Sequence, residues 1–200
     1  MIKHILGIRY LINPENNICG LSSPTLLALV VTAPGNFETR SLIRKTWANK
    51  KYSYMKVVFV MGDSLNEILN EQVLKESESF NDIVQESFYD TYDNLTLKSV
   101  MIFKWSAKYC PLAKAFMKVD DDVYVHTNKL EQYLNSVLVL EKEAGLDGPL
   151  LRNTFMCKVH RNAPASRDST DKWHVSYDEY RFDIFVTYCG GMQKNYGFLL

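Results

Sequence analysis

Thr25-Leu26-Leu27-Ala28-Leu29-Val30-Val31-Thr32 is an unbroken apolar run that Pro34-Gly35 stops. A strand with one wet face alternates apolar and polar residues, and this run does not alternate. It is also far too short to cross a bilayer. The run therefore reads as a strand buried on both faces, as in a parallel sheet with helices above and below.

The following segments keep that scheme. Met55-Lys56-Val57-Val58-Phe59-Val60-Met61 is a second buried strand, closed by Gly62-Asp63-Ser64. Asp82-Ile83-Val84-Gln85 is a short third, and residues 114–119 supply a fourth. Helical spacing fills the gaps. Asn36 is placed to cap a helix to about Trp47, with Phe37, Arg40, Ile43, Arg44 and Trp47 on one side. Residues 64–79 predict an amphipathic helix with Leu65, Ile68, Leu69, Val73 and Leu74 inward. Asp93 or Asn94 opens a third helix carrying Leu97, Val100, Met101 and Trp105, ended by Cys110-Pro111. Asn128-x-x-Glu131 resembles a capping box before the stripe Leu130, Tyr133, Leu134, Val137 and Leu138. Strand and helix in alternation predict an α/β fold, a Rossmann-like, mostly parallel sheet flanked by helices.

After Gly145 helical period is lost. Aromatic stretches at Trp173–Tyr177 and Phe182–Tyr188 predict short strands forming a partial antiparallel C-terminal extension. Residues 1–23 read as a lead-in broken by turns, and 24–200 as one domain, a size that buries a real core. Lys plus Arg balance Asp plus Glu at 23 each, so charge gives no pointer to nucleic acid or an acidic membrane surface. Cys19, Cys110, Cys157 and Cys189 form no CxxC pair, which argues against zinc. Two disulfides and four buried thiols both remain open, with three possible pairings. Asn94-Leu95-Thr96 is an N-glycosylation triplet. Met1–Ile12 contains Lys3, His4 and Arg9 and has neither the length nor the purity of a membrane span.

Chemistry concentrates in Lys118-Val119-Asp120-Asp121-Asp122-Val123-Tyr124-Val125. Three adjacent carboxylates repel one another beside a segment that favours burial, a costly arrangement that a cation relieves. Hard divalent ions favour such oxygen ligands. The end of a strand is where open α/β sheets hold ligands. The bland alternative is a solvated acidic turn. Arg40 and Arg44, four apart, share a helix face, which suits an anion between them or ordinary pairing with Asp or Glu.

These runs occur in an order that resembles the β-1,3-galactosyltransferase-like glycosyltransferases, a family of GT-A fold. The matching stretches are Glu38-Thr39-Arg40, Ile43-Arg44-Lys45-Thr46-Trp47, Phe59-Val60-Met61-Gly62, Asp82-Ile83-Val84-Gln85, and Phe88 through Lys98. Trp105, Cys110 and Lys118-Val119-Asp120-Asp121-Asp122-Val123 follow, with Pro164, Arg167, Lys172-Trp173 and Tyr188-Cys189-x-Gly191 fitting more loosely. The resemblance implies a hexosyltransferase that moves galactose or N-acetylglucosamine from a UDP-sugar to a glycan acceptor hydroxyl in β-1,3 linkage, with Mn2+ (manganese) as cofactor. It implies Asp122 as metal ligand, Asp120 and Asp121 on the nucleotide ribose, the sugar hydroxyls or metal-bound water, and Arg40 and Arg44 near the diphosphate. It also implies the lumenal face of the Golgi membrane, which makes disulfides and a glycan on Asn94 more credible. Lys98 and Trp105 are expected to be structural.

Departures from the family pattern accompany these matches. The family's carboxylate base lies in a Glu-Asp motif beyond Tyr-Cys-x-Gly, and no such motif occurs before Leu200. Asp178, Glu179 and Asp183 stand in the right half of the chain, but no pattern assigns one of them, so the catalytic residue is left unknown. No membrane anchor is visible, and the family pattern reads as truncated at both ends. The alternative expectation is therefore an inactive homologue that binds only the donor nucleotide or a partner enzyme. A metal-dependent phosphohydrolase is a third, weaker reading.

Overall fold

The computed structural model describes residues 7–14, 18–19, 24–49, 51–143 and 157–190. Its centre is a five-stranded sheet of order β1-β4-β3-β2-β5. The apolar run becomes β2 (Leu26–Val31), buried at every position. It pairs in parallel with β3 (Met55–Asp63) on one side and β5 (Ala115–Asp120) on the other. β4 (Ile83–Tyr89) adds in parallel to β3, and β1 (Tyr10–Ile12) closes that edge antiparallel. The lead-in thus contributes a strand to the sheet.

Alternate residues of β2 feed two apolar layers. Leu26, Ala28 and Val30 join Phe59, Met117, Ile43 and Leu134 on one face. Leu27, Leu29 and Val31 join Val60, Val84, Met101 and Trp105 on the other. Each fully buried leucine or valine contributes about 1.5–3 kcal/mol. The two-sided burial read from the run is therefore what the fold uses.

Among the described residues four α-helices cover the sheet: α1 (Phe37–Lys45), α2 (Glu67–Phe80), α3 (Leu95–Tyr109) and α4 (Thr127–Glu143). In α2 the Asn66 side chain accepts from the Leu69 N–H, and Asn81 ends the helix in the left-handed conformation. Its inward face corrects the sequence expectation. Leu65, Ile68 and Leu74 are exposed, whereas Val73 and Ser77 are buried. The polar contacts of Glu76 set that rotation, because its carboxylate meets Arg40 and Arg44 on α1. α3 is rotated similarly, with Lys98, Met101, Ile102 and Trp105 buried and Val100 exposed.

The C-terminal part is built differently. β6 (Lys158–His160) and β7 (Tyr188–Gly190) form a separate antiparallel pair. The strands expected at Trp173–Tyr177 and Phe182–Tyr188 are replaced by isolated bridges, Pro164 with Ile184 and Ser166 with His174. Arg167 supplies the reason: its guanidinium donates to the carbonyls of Val175 and Phe182, which a ladder would otherwise have used, and to that of Tyr180 between them. Disulfides join Cys19 to Cys110 and Cys157 to Cys189. Gly145, Gly191 and the residues after it lie outside the described residues.

Candidate functional site

The acidic triplet stands where β5 leaves the sheet. Val119 is buried before it and Val125 after it, so both ends of the turn are anchored in one apolar layer. β5 lies beside β2, pairing Val31 with Asp120, so the triplet emerges next to the loop that follows β2. The neighbouring strand ends bring the other polar groups to the same edge.

Asp121 is held tightly. One of its carboxylate oxygens, Oδ2, accepts from Thr32 Oγ1 at 2.6 Å and from Asn36 Nδ2 at 2.8 Å. Its backbone N–H donates to the Val31 carbonyl. Asn36 thus corrects the capping expectation, since its side chain makes no cap hydrogen bond to α1 and turns to Asp121 instead. The separation in sequence, 85 residues, hides that contact from any local reading.

Asp120 and Asp122 are exposed, and among the described residues neither carboxylate makes a hydrogen bond within the chain. Partial loss of hydration raises the Asp120 carboxyl above the ordinary aspartate range; Lys118 opposes the shift, and Asp122 and Asp121 add repulsion to it. Lys118 also donates to Ser99 Oγ. Among the described residues no three His, Cys, Asp or Glu side chains converge on a point that would hold a metal. Magnesium and manganese sites at phosphates need only one or two carboxylates, because substrate oxygens and water complete the shell. Two open carboxylates beside a clamped third fit that kind of ion.

A second polar chain braces the edge. The Lys98 ammonium, buried on α3, donates to the Thr32 carbonyl at 2.8 Å and pairs with Asp90 at 2.8 Å. Asp90 in turn accepts from the Gly62 N–H at the end of β3. A side chain at Gly62 would collide with Phe88, its Cβ lying 2.6 Å from that carbonyl oxygen. Lys98 is therefore structural in a specific sense: it fixes the backbone of Thr32, whose hydroxyl clamps Asp121.

Arg40 is turned inward. Its side chain is fully buried. The guanidinium meets Glu76 at 2.6 Å and donates to the carbonyls of Ala33 and Pro34. Arg44 bridges Glu76 and Asp82, and its guanidinium lies over the rings of Phe59 and Phe80. Burial alone would raise the Glu76 carboxyl, but hydrogen bonds from Arg40 and Arg44 outweigh it and hold the group below its usual range. Arg40 thus orders the loop after β2 from beneath, while Arg44 holds the Glu76 carboxylate that Arg40 meets. A cleft of about 730 Å³ opens beside Arg44, Tyr52, Met55, Phe59 and Phe80, and none of the triplet carboxylates lines it.

Asn94 sits in the turn before α3, where its Nδ2 donates to the Tyr89 carbonyl at 2.8 Å. The nitrogen that a glycan would occupy is thus engaged with the backbone. Of the carboxylates in the C-terminal part, Glu179 accepts from the Ser176 N–H and hydroxyl, which holds it below its usual range, and Asp183 accepts from Tyr177. Glu179 is therefore not shaped as a base poised near neutrality.

Residues 38–194 match the galactosyltransferase family. The chain belongs to that family. Similar proteins include the lactosylceramide 1,3-N-acetyl-beta-D-glucosaminyltransferase of Homo sapiens, 36% identical over 192 residues, covering 92% of this chain and 48% of the relative. The protein of the same description from Xenopus tropicalis is 36% identical over 193 residues, with the same coverage. The UDP-GalNAc:beta-1,3-N-acetylgalactosaminyltransferase 1 of Rattus norvegicus is 34% identical over 185 residues, covering 89% and 52%. The chain spans about half the length of these curated relatives. A mixed α/β domain with a mostly parallel sheet and a small antiparallel addition is the architecture expected of this galactosyltransferase family.

Proposed function

We propose that this galactosyltransferase-family chain carries the donor half of a hexosyltransferase. The transferred group is galactose or an N-acetylhexosamine, the donor a UDP-sugar, and the acceptor a hydroxyl of a glycan. The observation that carries the proposal is the asymmetry of the triplet: Asp121 is clamped by Thr32 and Asn36, while Asp120 and Asp122 face outward at the C-terminal edge of the sheet. Open α/β sheets bind nucleotides at that edge. The relatives bear the names of β-1,3-transferases, which favours transfer over donor binding alone.

In this reading Asp122 holds a Mn2+ ion and Asp120 faces the donor, while Asp121 keeps the turn in place. When bound, the ion neutralises charge on the leaving diphosphate. Arg40 acts through the loop that it orders, with Arg44 bracing Glu76 beside it, and neither touches the donor. Among the described residues no helix is long and apolar enough to cross a membrane. Two disulfides suit an oxidising lumen, which supports Golgi residence of the whole protein.

Two measurements test the proposal. UDP with Mn2+ should raise the melting temperature, and Asp122→Ala should abolish the rise while the fold persists. Transfer from UDP-N-acetylglucosamine or UDP-galactose to lactose then tests the chemistry. A folded chain indifferent to UDP would remove the donor site.

A further inference from the structure

The three tryptophans divide into two kinds. Trp47 and Trp105 are 3% and 2% exposed, and the Trp105 ring N–H donates to Asn13. Trp173 is 64% exposed. Its ring nevertheless has a partner, Tyr92, with centroids 6.2 Å apart and planes inclined at 57°. Tyr92 is 52% exposed, and the Lys172 ammonium stands 4.2 Å from the centre of its ring. Two large rings that meet in the open contribute little to the core.

Their place is informative. Tyr92 lies two residues after Asp90, in the turn leading from β4 to α3. Asp90 pairs with Lys98, Lys98 holds the Thr32 carbonyl, and Thr32 holds Asp121. A continuous series of bonded groups therefore links the turn carrying Tyr92 to the acidic triplet. Trp173 and Lys172 reach that turn from the C-terminal part of the chain, whose elements do not join the main sheet.

We infer that Tyr92 and Trp173 form a platform for a sugar ring of the glycan acceptor. The inference rests on the proposed transferase function and assigns its second substrate. A hexopyranose such as galactose has one face of C–H groups ringed by hydroxyls. Aromatic faces carry negative quadrupole potential and attract polarised C–H groups, while the hydroxyls stay wet at the ring edge. Lys172 adds donors and no acceptor, which suits hydroxyl oxygens. The chain neighbours of the two rings are Thr91, Asp93, Lys172 and His174, polar groups that suit a polyhydroxylated ring better than an acyl chain.

Trp173 is the one tryptophan open to solvent, so acrylamide quenching of intrinsic fluorescence reports on it in the full chain. Lactose should protect that emission in a saturable way, and mannitol at equal concentration should not. Trp173→Ala should raise the KM for lactose about tenfold, the scale of one lost aromatic contact, with the UDP-induced melting shift unchanged. Trp173→Tyr should recover most of that loss. Two results would overturn the platform: shielding of Trp173 from acrylamide in the free chain, which means that protein covers it, or protection by lactose no greater than by mannitol. Quenching needs no turnover. A missing UDP shift with lactose protection intact therefore counts against the donor site and leaves the platform standing.

Discussion

The sheet body and the C-terminal part of this chain are stabilised by different physics. In the body, β2 is buried on both faces between β3 and β5, and the buried charges of Arg40 and Lys98 are paired with carboxylates. In residues 157–190, Arg167 gathers three carbonyls, one disulfide closes the loop, and rings pack on rings near the surface. Phe182, Ile184 and Val186 remain exposed there. A body built from burial resists movement and fixes carboxylates. A part built from a cross-link and a guanidinium can present side chains outward.

The strongest way to break this contrast is Arg40→Ala. It takes from half-buried Glu76 one of its two guanidinium partners and releases the Ala33 and Pro34 carbonyls, so chemical denaturation should show a loss of about 3–5 kcal/mol. Replacing Cys157 and Cys189 by serine should cost about 2–4 kcal/mol. Hydrogen exchange should place that loss in residues 157–190, leaving β2 and β3 protected. Equal deprotection of β2 would refute the division.

Acid titration sharpens the comparison further. The folded pKa of Glu76 lies below its unfolded value of about 4.3. Its stabilisation is therefore complete above the unfolded value and is lost as pH falls through the folded one. Glu76→Gln should flatten that acid limb of the stability curve, and the limb should survive in the cysteine double variant. The smallest effect is expected from Trp173→Phe, under about 0.5 kcal/mol, because an exposed ring contributes little to stability. Trp105→Phe, which also breaks the bond to Asn13, should cost more.

Much of the body was legible because its signals are local. A non-alternating run names a two-sided strand, and each strand–helix repeat names a parallel crossover. The inward face of α2 is set by a contact outside the helix. Leu65, Ile68 and Leu74 outscore Glu76 in hydrophobicity, yet α2 turns Glu76 inward because two arginines from another helix await it. The C-terminal strands were misread because a single arginine took the carbonyls of the expected ladder. Arg40 and Arg44 share a helix face as the spacing required, but a carboxylate of this chain lies between them.

By itself the sequence determined the alternating architecture, the family and the placing of three carboxylates at a strand end. All of these follow from neighbours along the chain. Tertiary structure decided the inequality within the triplet. Asp121 meets Thr32 and Asn36 across 89 and 85 residues, and only the parallel pairing of β2 with β5 brings them within hydrogen-bond reach. It likewise decided that Tyr92 and Trp173 meet, since the two rings come from parts of the chain that no periodicity connects.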